Sequence, residues 1–257
     1  MNIQFESGTQ CNARCTFCPR SEMTRPQGLM SDVLFHKIIK EGKEMKARFF
    51  LPFLNGEPFI FPKIWEWLDY MQEQGVQTAI YTNAEFMDSE RLSKYNNIRY
   101  VNCSFNGATK KTYTKVMGTV DYDKAKNNIE NLIKLAKFPI QVSMVITEDN
   151  AHEVNEFKKM WGRRAKMRPF LNWAGYKTST IPKQGVKNPC YMLFQHLTIL
   201  WDGRVALCCM DHDGRVILGD ANKQHLKDIW SSMQVLRDRH KNLDFNMPLC
   251  RDCNFNE

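Results

Sequence analysis

Strand-like and helix-like segments alternate through the first two thirds of the chain, and this alternation limits the possible folds. Between the strand-like segments lie amphipathic helical stretches, such as SDVLFHKIIKEGKEM, where Ser31 can act as N-cap. Strands that alternate with helices form parallel sheets with right-handed crossovers. Six units are too few for a full eight-stranded barrel, which leaves an open or partial barrel or a doubly wound sheet. The strand-like segments are NIQFES, ARFFLPFL, VQTAIYTN, IRYVNCSFN, IQVSMVIT and MRPFLNWAG.

The pattern changes after about residue 176. A connection rich in Pro, Gly and Lys, TSTIPKQGVKNP, is followed by a hairpin-like segment, LTILWDGRVALCC, that turns at Asp202-Gly203. One helix is predicted over LKDIWSSMQVLRDRHK. We therefore expect a larger domain over residues 1–176 and a smaller one over residues 177–257.

Composition narrows the class of protein. The 257 residues include nine cysteines, and no apolar run is long enough for a membrane span. No secretory segment follows Met1, so a cytoplasmic protein is expected, and cysteines in a reducing compartment indicate metal or redox chemistry before disulfides. The net charge of +8 is modest and not confined to one block. A basic protein can bind nucleic acid, an anionic substrate or an anionic cofactor, and the densest basic stretch, WGRRAKMR, is typical of a solvated surface rather than of a nucleic-acid site.

The sequence CNARCTFC places Cys11, Cys15 and Cys18 within eight residues. The cluster follows the first predicted strand, at the edge where parallel α/β proteins carry their chemistry. Thiolates favour zinc and iron–sulfur clusters, and a structural zinc site closes with four ligands. Three thiols instead suit a four-iron cluster in which one iron stays open to a substrate or cofactor.

The spacing Cys-x3-Cys-x2-Cys resembles the signature of the radical S-adenosylmethionine (SAM) superfamily. LNGEPF resembles the GGEP motif of that family, with Asn55 in place of the first glycine. YTNA is similar to its TNG segment, with Ala84 in place of glycine, and CSFNG resembles its fourth-strand segment. The residues that the resemblance assigns to SAM binding are Phe17, Asn55, Gly56, Glu57, Thr82, Asn83, Ser104 and Asn106.

The resemblance implies an α/β fold, a partial (β/α)6 TIM-like barrel with a small C-terminal twitch-type domain of a β-hairpin plus a helix. It also implies a 4Fe-4S cluster on the first three cysteines and SAM on the open iron. An electron from that cluster would cleave SAM to methionine and a 5′-deoxyadenosyl radical, which abstracts hydrogen from a substrate. The buried strand thiol Cys103 is expected to pack in the core.

A second set of cysteines lies beyond the barrel-like region. GRVALC, from Gly203 to Cys208, resembles the Gly-x4-Cys hairpin of SPASM and twitch domains. By that resemblance Cys190, Cys208, Cys250 and Cys253 bind an auxiliary 4Fe-4S cluster, while the neighbouring Cys209 points the other way. A structural zinc ribbon is the rival for this ligand set. The layout, with a single auxiliary site, is similar to that of 2-deoxy-scyllo-inosamine dehydrogenase.

A fully ligated second cluster would accept an electron from the substrate, which implies an oxidation. We therefore expect a radical SAM oxidoreductase that oxidises a C–H position of a small polar substrate, with Asp211 as proton acceptor and His212 and Asp213 as rivals. Predicted substrate contacts are Arg168, Asn172 and Trp173, which follow or end the sixth strand.

The expected partners are a small-molecule or peptide substrate and a flavodoxin- or ferredoxin-type electron donor. Two other functions compete with the oxidation. One is a peptide maturase that forms crosslinks by the same radical chemistry. The other is a zinc-binding nucleic-acid protein, suggested by the positive charge and the CRDC tail.

Overall fold

The computed structural model of the protein describes residues 1–178 and 187–255. Its strands form one nine-stranded sheet in the order β6-β5-β4-β3-β2-β1-β7-β8-β9. Strands β1 to β6 pair in parallel with their neighbours in sequence, as the strand–helix alternation predicts. The strands are β1 Asn2–Phe5, β2 Phe50–Leu51, β3 Thr78–Thr82, β4 Ile98–Ser104, β5 Ile140–Val145, β6 Ala165–Arg168, β7 His196–Ile199, β8 Arg204–Ala206 and β9 Ile217–Asp220.

Helices connect the parallel strands and share the main apolar core with them, and two further helices follow β9. The predicted N-cap is confirmed, because Ser31 Oγ accepts a hydrogen bond from the amide of Leu34 at 3.3 Å. The helix Ile64–Glu73 is followed closely by Gly75, whose φ of +68° suits glycine. The helices are α1 Asp32–Glu44, α2 Ile64–Glu73, α3 Ser89–Ser93, α4 Lys110–Met117, α5 Tyr122–Leu135, α6 Val154–Trp161, α7 Tyr191–Gln195, α8 Leu226–Ser232 and α9 Gln234–Lys241.

The expected α/β fold is confirmed as a partial barrel of six parallel strands. Alternate residues of a strand face opposite sides of the sheet. In β4, Val101 and Cys103 are fully buried in the main apolar core with residues of the helices. Tyr100, Asn102 and Ser104 therefore face the inner side of the barrel, and Cys103 is the core thiol that the sequence predicts.

The C-terminal hairpin continues the barrel sheet. β7 pairs in parallel with β1 over four residues, from Asn2 opposite His196 to Phe5 opposite Ile199. β8 then returns antiparallel to β7, and the turn between them contains the predicted Gly203, with φ of +93°. The hairpin is thus confirmed, and it covers the edge of the first strand. The domain boundary near residue 176 stays a prediction.

The structure contains elements that were not predicted, and it corrects one predicted helix. Helix α4 and strand β9 were not predicted, and α4 proves to support the cysteine loop. The helix predicted over residues 226–241 is two helices, because Arg237 donates to the carbonyl oxygens of Leu193 and Trp230, so that the end of α8 is capped from α9. Much of the predicted connection TSTIPKQGVKNP lies outside the described residues.

Among the described residues, the longest and most apolar helices fall short of what a membrane crossing requires.

Candidate functional site

The three-cysteine loop follows β1 and rests on α4. The amides of Arg14 and Thr16 donate to the carbonyl oxygens of Met117 and Val116, each at 3.0 Å. Within the loop, the amide of Cys18 donates to the carbonyl oxygen of Cys15 at 3.1 Å. The loop is therefore anchored on a helix that lies about 100 residues further along the chain.

The three thiols lie close together in a half-buried environment. Burial, and after it the charge of Glu57, raises the pKa of Cys11 to about 12. Burial also raises the pKa of Cys15, with Cys18 and Cys11 as the next causes, and burial raises that of Cys18. Cys15 Sγ lies 3.6 Å from Met117 Sδ. Such thiols are protonated until a metal displaces the protons, which is the usual behaviour of a cysteine metal site.

The NGEP turn after β2 lies directly against the start of this loop. A methyl group built on Gly56 would lie 2.1 Å from the carbonyl oxygen of Gly8, so only glycine fits there. The next amide, that of Glu57, donates to the carbonyl oxygen of Gln10 at 2.8 Å. The predicted cofactor residues Gly56 and Glu57 are thus held beside Cys11 by backbone contact.

Glu57 has a buried carboxylate that is surrounded by donors. It accepts hydrogen bonds from Thr82 Oγ1 at 2.6 Å, from the amide of Asn83 at 2.8 Å and from the amide of Phe59 at 3.2 Å. Burial raises the pKa of this carboxyl group to about 7, although these hydrogen bonds oppose the rise. A cationic group that approached Glu57 would lower the pKa again and bind to the ionised form.

The YTNA segment at the end of β3 connects the Glu57 turn with the cysteine loop. Asn83 Nδ2 donates to Asn12 Oδ1 at 2.8 Å. Ala84 has φ of +67°, a left-handed conformation that favours the glycine found at this place in the family motif. Its amide donates to Thr82 Oγ1 at 2.8 Å, and Asn128 Nδ2 donates to its carbonyl oxygen at 2.9 Å, which holds the turn.

The remaining predicted cofactor residues fall into two groups. Asn55 and Asn106 use their side chains inside the protein: Asn55 Nδ2 donates to Glu6 Oε1 at 3.1 Å, and Asn106 Oδ1 accepts from the amide of Val145 at 2.7 Å. Phe17 and Ser104 are half-buried, one in the cysteine loop and the other at the inner end of β4. Their contacts with SAM stay predictions.

The donor set fits a 4Fe-4S cluster with SAM. Three thiols in one loop supply three ligands, and a cluster bound by three thiolates keeps one open iron. The buried carboxylate of Glu57 lies near Cys11 and can bind an amino group. The residues that would hold the pair are therefore Cys11, Cys15, Cys18 and Glu57, with Thr82 and Asn83 orienting Glu57.

The second set of cysteines surrounds a small apolar cavity. The four predicted auxiliary ligands all line it, whereas Cys209 does not contribute to its described lining. Burial, together with Cys190 and Cys253, raises the pKa of Cys250 to about 12, which indicates that these three thiols lie near one another. The cavity is lined by Ala174, Cys190, Met192, Leu193, Leu207, Cys208, Met210, His240, Leu249, Cys250, Cys253 and Phe255.

Two further findings concern the thiols. All nine cysteines lie within the described parts of the chain, and no disulfide joins any of them. In those same parts, no three His, Cys, Asp or Glu side chains converge closely enough to hold a single metal ion.

The predicted proton acceptor and its rivals lie in the loop after β8. Asp211 is buried, and its two carboxylate oxygens accept from the amides of Arg215 and Val216, both at 2.9 Å. Asp213 accepts from Thr24 Oγ1 at 2.5 Å. His212 is fully buried and contacts the ring of Tyr176 edge-on, with ring centroids 4.3 Å apart. Asp211 thus orders its own loop, and its catalytic role stays a prediction.

The predicted substrate contacts, which lie at the end of β6 and after it, have different surroundings. Arg168 is exposed, and its Nη2 lies 3.4 Å from Gln141 Oε1. Asn172 Nδ2 donates to the carbonyl oxygen of Asp252 at 2.7 Å, so this residue holds the C-terminal segment. Trp173 Nε1 donates to the carbonyl oxygen of Phe17 at 3.0 Å. The segment 172–174 therefore touches both the cysteine loop and, through Ala174, the apolar cavity.

Sequence reasoning missed three tyrosines near Arg168. The hydroxyl oxygens of Tyr81 and Tyr100 lie 3.2 Å apart on neighbouring strands. Burial raises the pKa of Tyr100, and Tyr81 raises it further, while Arg168 opposes the rise. Tyr191, which follows Cys190, also lies near Tyr81 and Arg168. The alternation of β3 and β4 was the available signal, because it puts Tyr81 and Tyr100 on the inner face.

A buried ion pair was also missed. Arg25 Nη2 lies 2.6 Å from Glu6 Oε1, and both side chains are almost fully buried, with exposures of 3% and 0%. Arg25 Nε donates to the carbonyl oxygen of His212 at 2.8 Å, and the amide of Trp201 donates to Glu6 Oε2 at 3.3 Å. No local spacing in the sequence relates these residues.

Family models match two parts of the chain. The Radical SAM superfamily model matches residues 5–160, and the model of the SPASM iron-sulfur cluster-binding domain matches residues 190–254. These ranges contain the three-cysteine loop and the four cysteines around the cavity, respectively.

Individual proteins resemble the chain over different lengths. Mycofactocin maturase MftC of Mycobacterium tuberculosis is 29% identical over 163 residues, which are 63% of this chain and 41% of that protein, so the match covers about two fifths of the relative. The S-adenosyl-L-methionine-dependent 2-deoxy-scyllo-inosamine dehydrogenase of Niallia circulans is 22% identical over 269 residues, covering 98% of this chain and 92% of the relative.

A solved structure agrees with the fold over nearly the whole chain. Streptococcus suis SuiB, bound to precursor peptide SuiA, matches with a TM-score of 0.78 at 15% identity and covers 98% of this chain and 69% of that one. At this identity the likeness concerns the fold alone. With the family matches and the cysteine sites described above, the chain belongs to the radical SAM superfamily and carries a SPASM-type iron-sulfur cluster-binding domain at its C-terminal end.

Proposed function

We propose that the protein is a radical SAM oxidoreductase that removes two hydrogens from a small polar substrate and uses one auxiliary 4Fe-4S cluster as electron acceptor. The observation that carries the proposal is the set of four thiols around one apolar cavity, in addition to the three-thiol loop. Four protein ligands fill the coordination sites of such a cluster. The second cluster then has no open iron for SAM, and electron transfer is the role left to it.

The position of segment 172–174 supports electron transfer between the two sites. Trp173 donates to the backbone of Phe17, between the ligands Cys15 and Cys18, while Ala174 lines the auxiliary cavity. One short segment thus separates the sites. Substrate bound at the inner side of this segment would be near both.

The inner face of the barrel offers the chemistry that a polar substrate needs. Tyr81 on β3, Tyr100 on β4 and Arg168 at the end of β6 supply two hydroxyl groups and a cation, and Asn102 Nδ2 donates to Ser143 Oγ at 2.8 Å. A hydroxylated or anionic small molecule would exchange its water contacts for these groups. We propose that Arg168 contacts the substrate, as the sequence predicts, and that Tyr81 and Tyr100 contact it as well.

The roles of the protein side chains follow from their surroundings. When bound, the first cluster and SAM supply the electron and the 5′-deoxyadenosyl radical that takes a hydrogen atom from the substrate carbon. Glu57 would bind the amino group of SAM, and Thr82 and Asn83 orient the carboxylate of Glu57. Oxidation of a carbinol to a ketone then requires the loss of one further electron, to the auxiliary cluster, and of one proton. Asp211, or its neighbour Asp213, is the proposed proton acceptor.

The 2-deoxy-scyllo-inosamine dehydrogenase supports this proposal, because the resemblance covers nearly the full length of both proteins. The maturase relative and the peptide-bound neighbour favour the competing proposal, a peptide substrate modified by the same radical chemistry. In either case a flavodoxin- or ferredoxin-type protein would deliver the first electron. A cytoplasmic location suits both proposals.

A pair of neighbouring cysteines gives a matched test of the auxiliary cluster. After anaerobic reconstitution with iron and sulfide, we expect about eight irons per chain in the wild type and in Cys209→Ala, and about four in Cys208→Ala. Zinc in place of the second four irons would contradict the auxiliary cluster and favour a structural zinc site.

The reaction itself is tested with the same three proteins. Each is reduced and incubated with SAM and a panel of aminocyclitols, sugars and short peptides, and products are read by mass spectrometry. We expect a small polyol to lose two hydrogen atoms in the wild type and in Cys209→Ala. Cys208→Ala should still form 5′-deoxyadenosine without that oxidation. A crosslinked peptide, with every small molecule unchanged, would favour the maturase.

A further inference from the structure

A buried histidine lines the auxiliary cavity beside the four thiols. His240 lies near the end of α9 and is 1% exposed. Its ring borders the same apolar space as Cys190, Cys208, Cys250 and Cys253. The rest of the described lining is almost entirely aliphatic or aromatic, so the imidazole brings the main polar group to the cavity.

One ring nitrogen of His240 is already used. The amide of Cys190 donates to His240 Nδ1 at 3.2 Å. A nitrogen that accepts a hydrogen bond carries no proton, so in the neutral ring the proton sits on Nε2. The hydrogen bond to the backbone of a cysteine ligand thus fixes the tautomer and the orientation of the ring.

The other ring nitrogen is buried without a hydrogen-bond partner among the described residues. A buried N–H donor without an acceptor is energetically unfavourable, so such groups in folded proteins normally have an acceptor. The ring of Phe245 meets His240 edge-on, with centroids 5.0 Å apart, and supplies packing only. The acceptor must then come from whatever fills the cavity.

We propose that His240 Nε2–H donates a hydrogen bond to a sulfur of the auxiliary cluster and thereby raises the reduction potential of that cluster. The inference rests on the proposed auxiliary 4Fe-4S cluster. The inorganic sulfides and cysteine thiolates of such a cluster are acceptors, and the lining of the cavity provides little competition for the donor.

The direction of the effect follows from charge. Reduction adds one negative charge to the cluster, so a donor to sulfur stabilises the reduced form more than the oxidised form. In an apolar cavity this stabilisation is weakly screened. His240 is thus a positioning residue that makes the auxiliary cluster a better electron acceptor, as an oxidation requires.

Two substitutions separate the donor from the packing. His240→Asn can keep an oxygen near Nδ1 to accept from the amide of Cys190, but it lacks the Nε2 donor. His240→Gln reaches further and can place an N–H near Nε2. The full-length variants are reconstituted anaerobically, and the potentials of both clusters are measured by electron paramagnetic resonance during a redox titration.

We expect the auxiliary potential to become more negative in His240→Asn and to return toward the wild-type value in His240→Gln. The SAM-binding cluster of the same molecule is the internal control and should keep its potential. An unchanged auxiliary potential in His240→Asn, with about eight irons present, would overturn the hydrogen bond. Fewer irons in the wild type would instead refute the auxiliary cluster, and so the proposed function.

Pulsed paramagnetic resonance gives an independent readout in the chain with ¹⁵N-labelled histidine and Cys11, Cys15 and Cys18 replaced by alanine. This background leaves the auxiliary cluster alone. A weak ¹⁵N coupling and an exchangeable proton, both lost in His240→Asn, are the expected signals. A strong coupling typical of nitrogen bound to iron, or no nitrogen signal at all, would overturn the proposal.

Discussion

Glu57 is the residue at which burial and function are most directly opposed. Its carboxyl group lies in the protein interior with three donors around it, and burial raises its pKa to about 7. Ionisation is therefore costly until a cation arrives. The amino group of SAM would supply that cation. Binding of SAM would therefore offset the unfavourable free energy of ionising the buried Glu57.

This cost gives the metal-free protein a pH-dependent stability that Glu57→Gln should remove. The folded pKa of about 7 exceeds the reference value of 4.5, so between these values the folded state binds more protons than the unfolded state. Below about pH 4.5, Glu57 therefore causes no change of stability with pH. As the pH rises from there to about 7, Glu57 lowers the free energy of unfolding by roughly 3 kcal/mol.

Urea unfolding of both proteins at pH 5, 6, 7 and 8 checks this expectation. Glutamine also changes the stability by an amount that is independent of pH, because its side-chain NH2 group would face the backbone N–H donor of Asn83. Relative to the wild type, Glu57→Gln should gain stability as the pH rises toward 7. Parallel stability curves for the two proteins would contradict the account.

At the scale of elements, the Glu6–Arg25 ion pair joins segments that are far apart in sequence. Glu6 follows β1 and also accepts from Asn55 after β2 and from Trp201 after β7. Arg25 follows the cysteine loop and reaches His212 after β8. The pair thus fixes the loop against both the barrel and the C-terminal hairpin.

Breaking this pair should be costly. Arg25→Ala leaves the carboxylate of Glu6 buried without a counter-charge, and we expect a loss of about 3–5 kcal/mol in the free energy of unfolding. Arg25→Ala combined with Glu6→Gln should lose clearly less than the sum of the single variants, because the unpaired charge is gone. Denaturant unfolding of the three variants measures the coupling, and additive losses would contradict it.

Local spacing made part of this site predictable. Cys11, Cys15 and Cys18 lie in one loop, and the NGEP turn directly follows a strand, so short stretches of sequence carry the information. The Glu6–Arg25 pair, the support of the cysteine loop by α4 and the position of His240 depend on contacts between distant segments. No periodicity or spacing encodes such contacts. The same holds for Asn172, because its place after a strand predicted a substrate contact and not its hydrogen bond to the C-terminal segment.

At the scale of the whole molecule, the chain brings its two ends together. β7 pairs with β1, so the C-terminal hairpin lies directly beside the strand that leads into the three-cysteine loop. The sheet order could not be predicted from the sequence, because β7 pairs with β1 although five strands lie between them in the sequence. The segment 172–174 consequently contacts the three-cysteine loop through Trp173 and lines the cavity of the four C-terminal cysteines through Ala174.

The central claim is that the N-terminal thiols bind a cluster with an iron that is open to SAM. The most direct measurement is the formation of 5′-deoxyadenosine by the anaerobically reconstituted, dithionite-reduced protein. We expect the wild type to form it from SAM and Cys15→Ala to form none above background. A wild type that carries its full iron content, is reduced, and leaves SAM intact would contradict the claim.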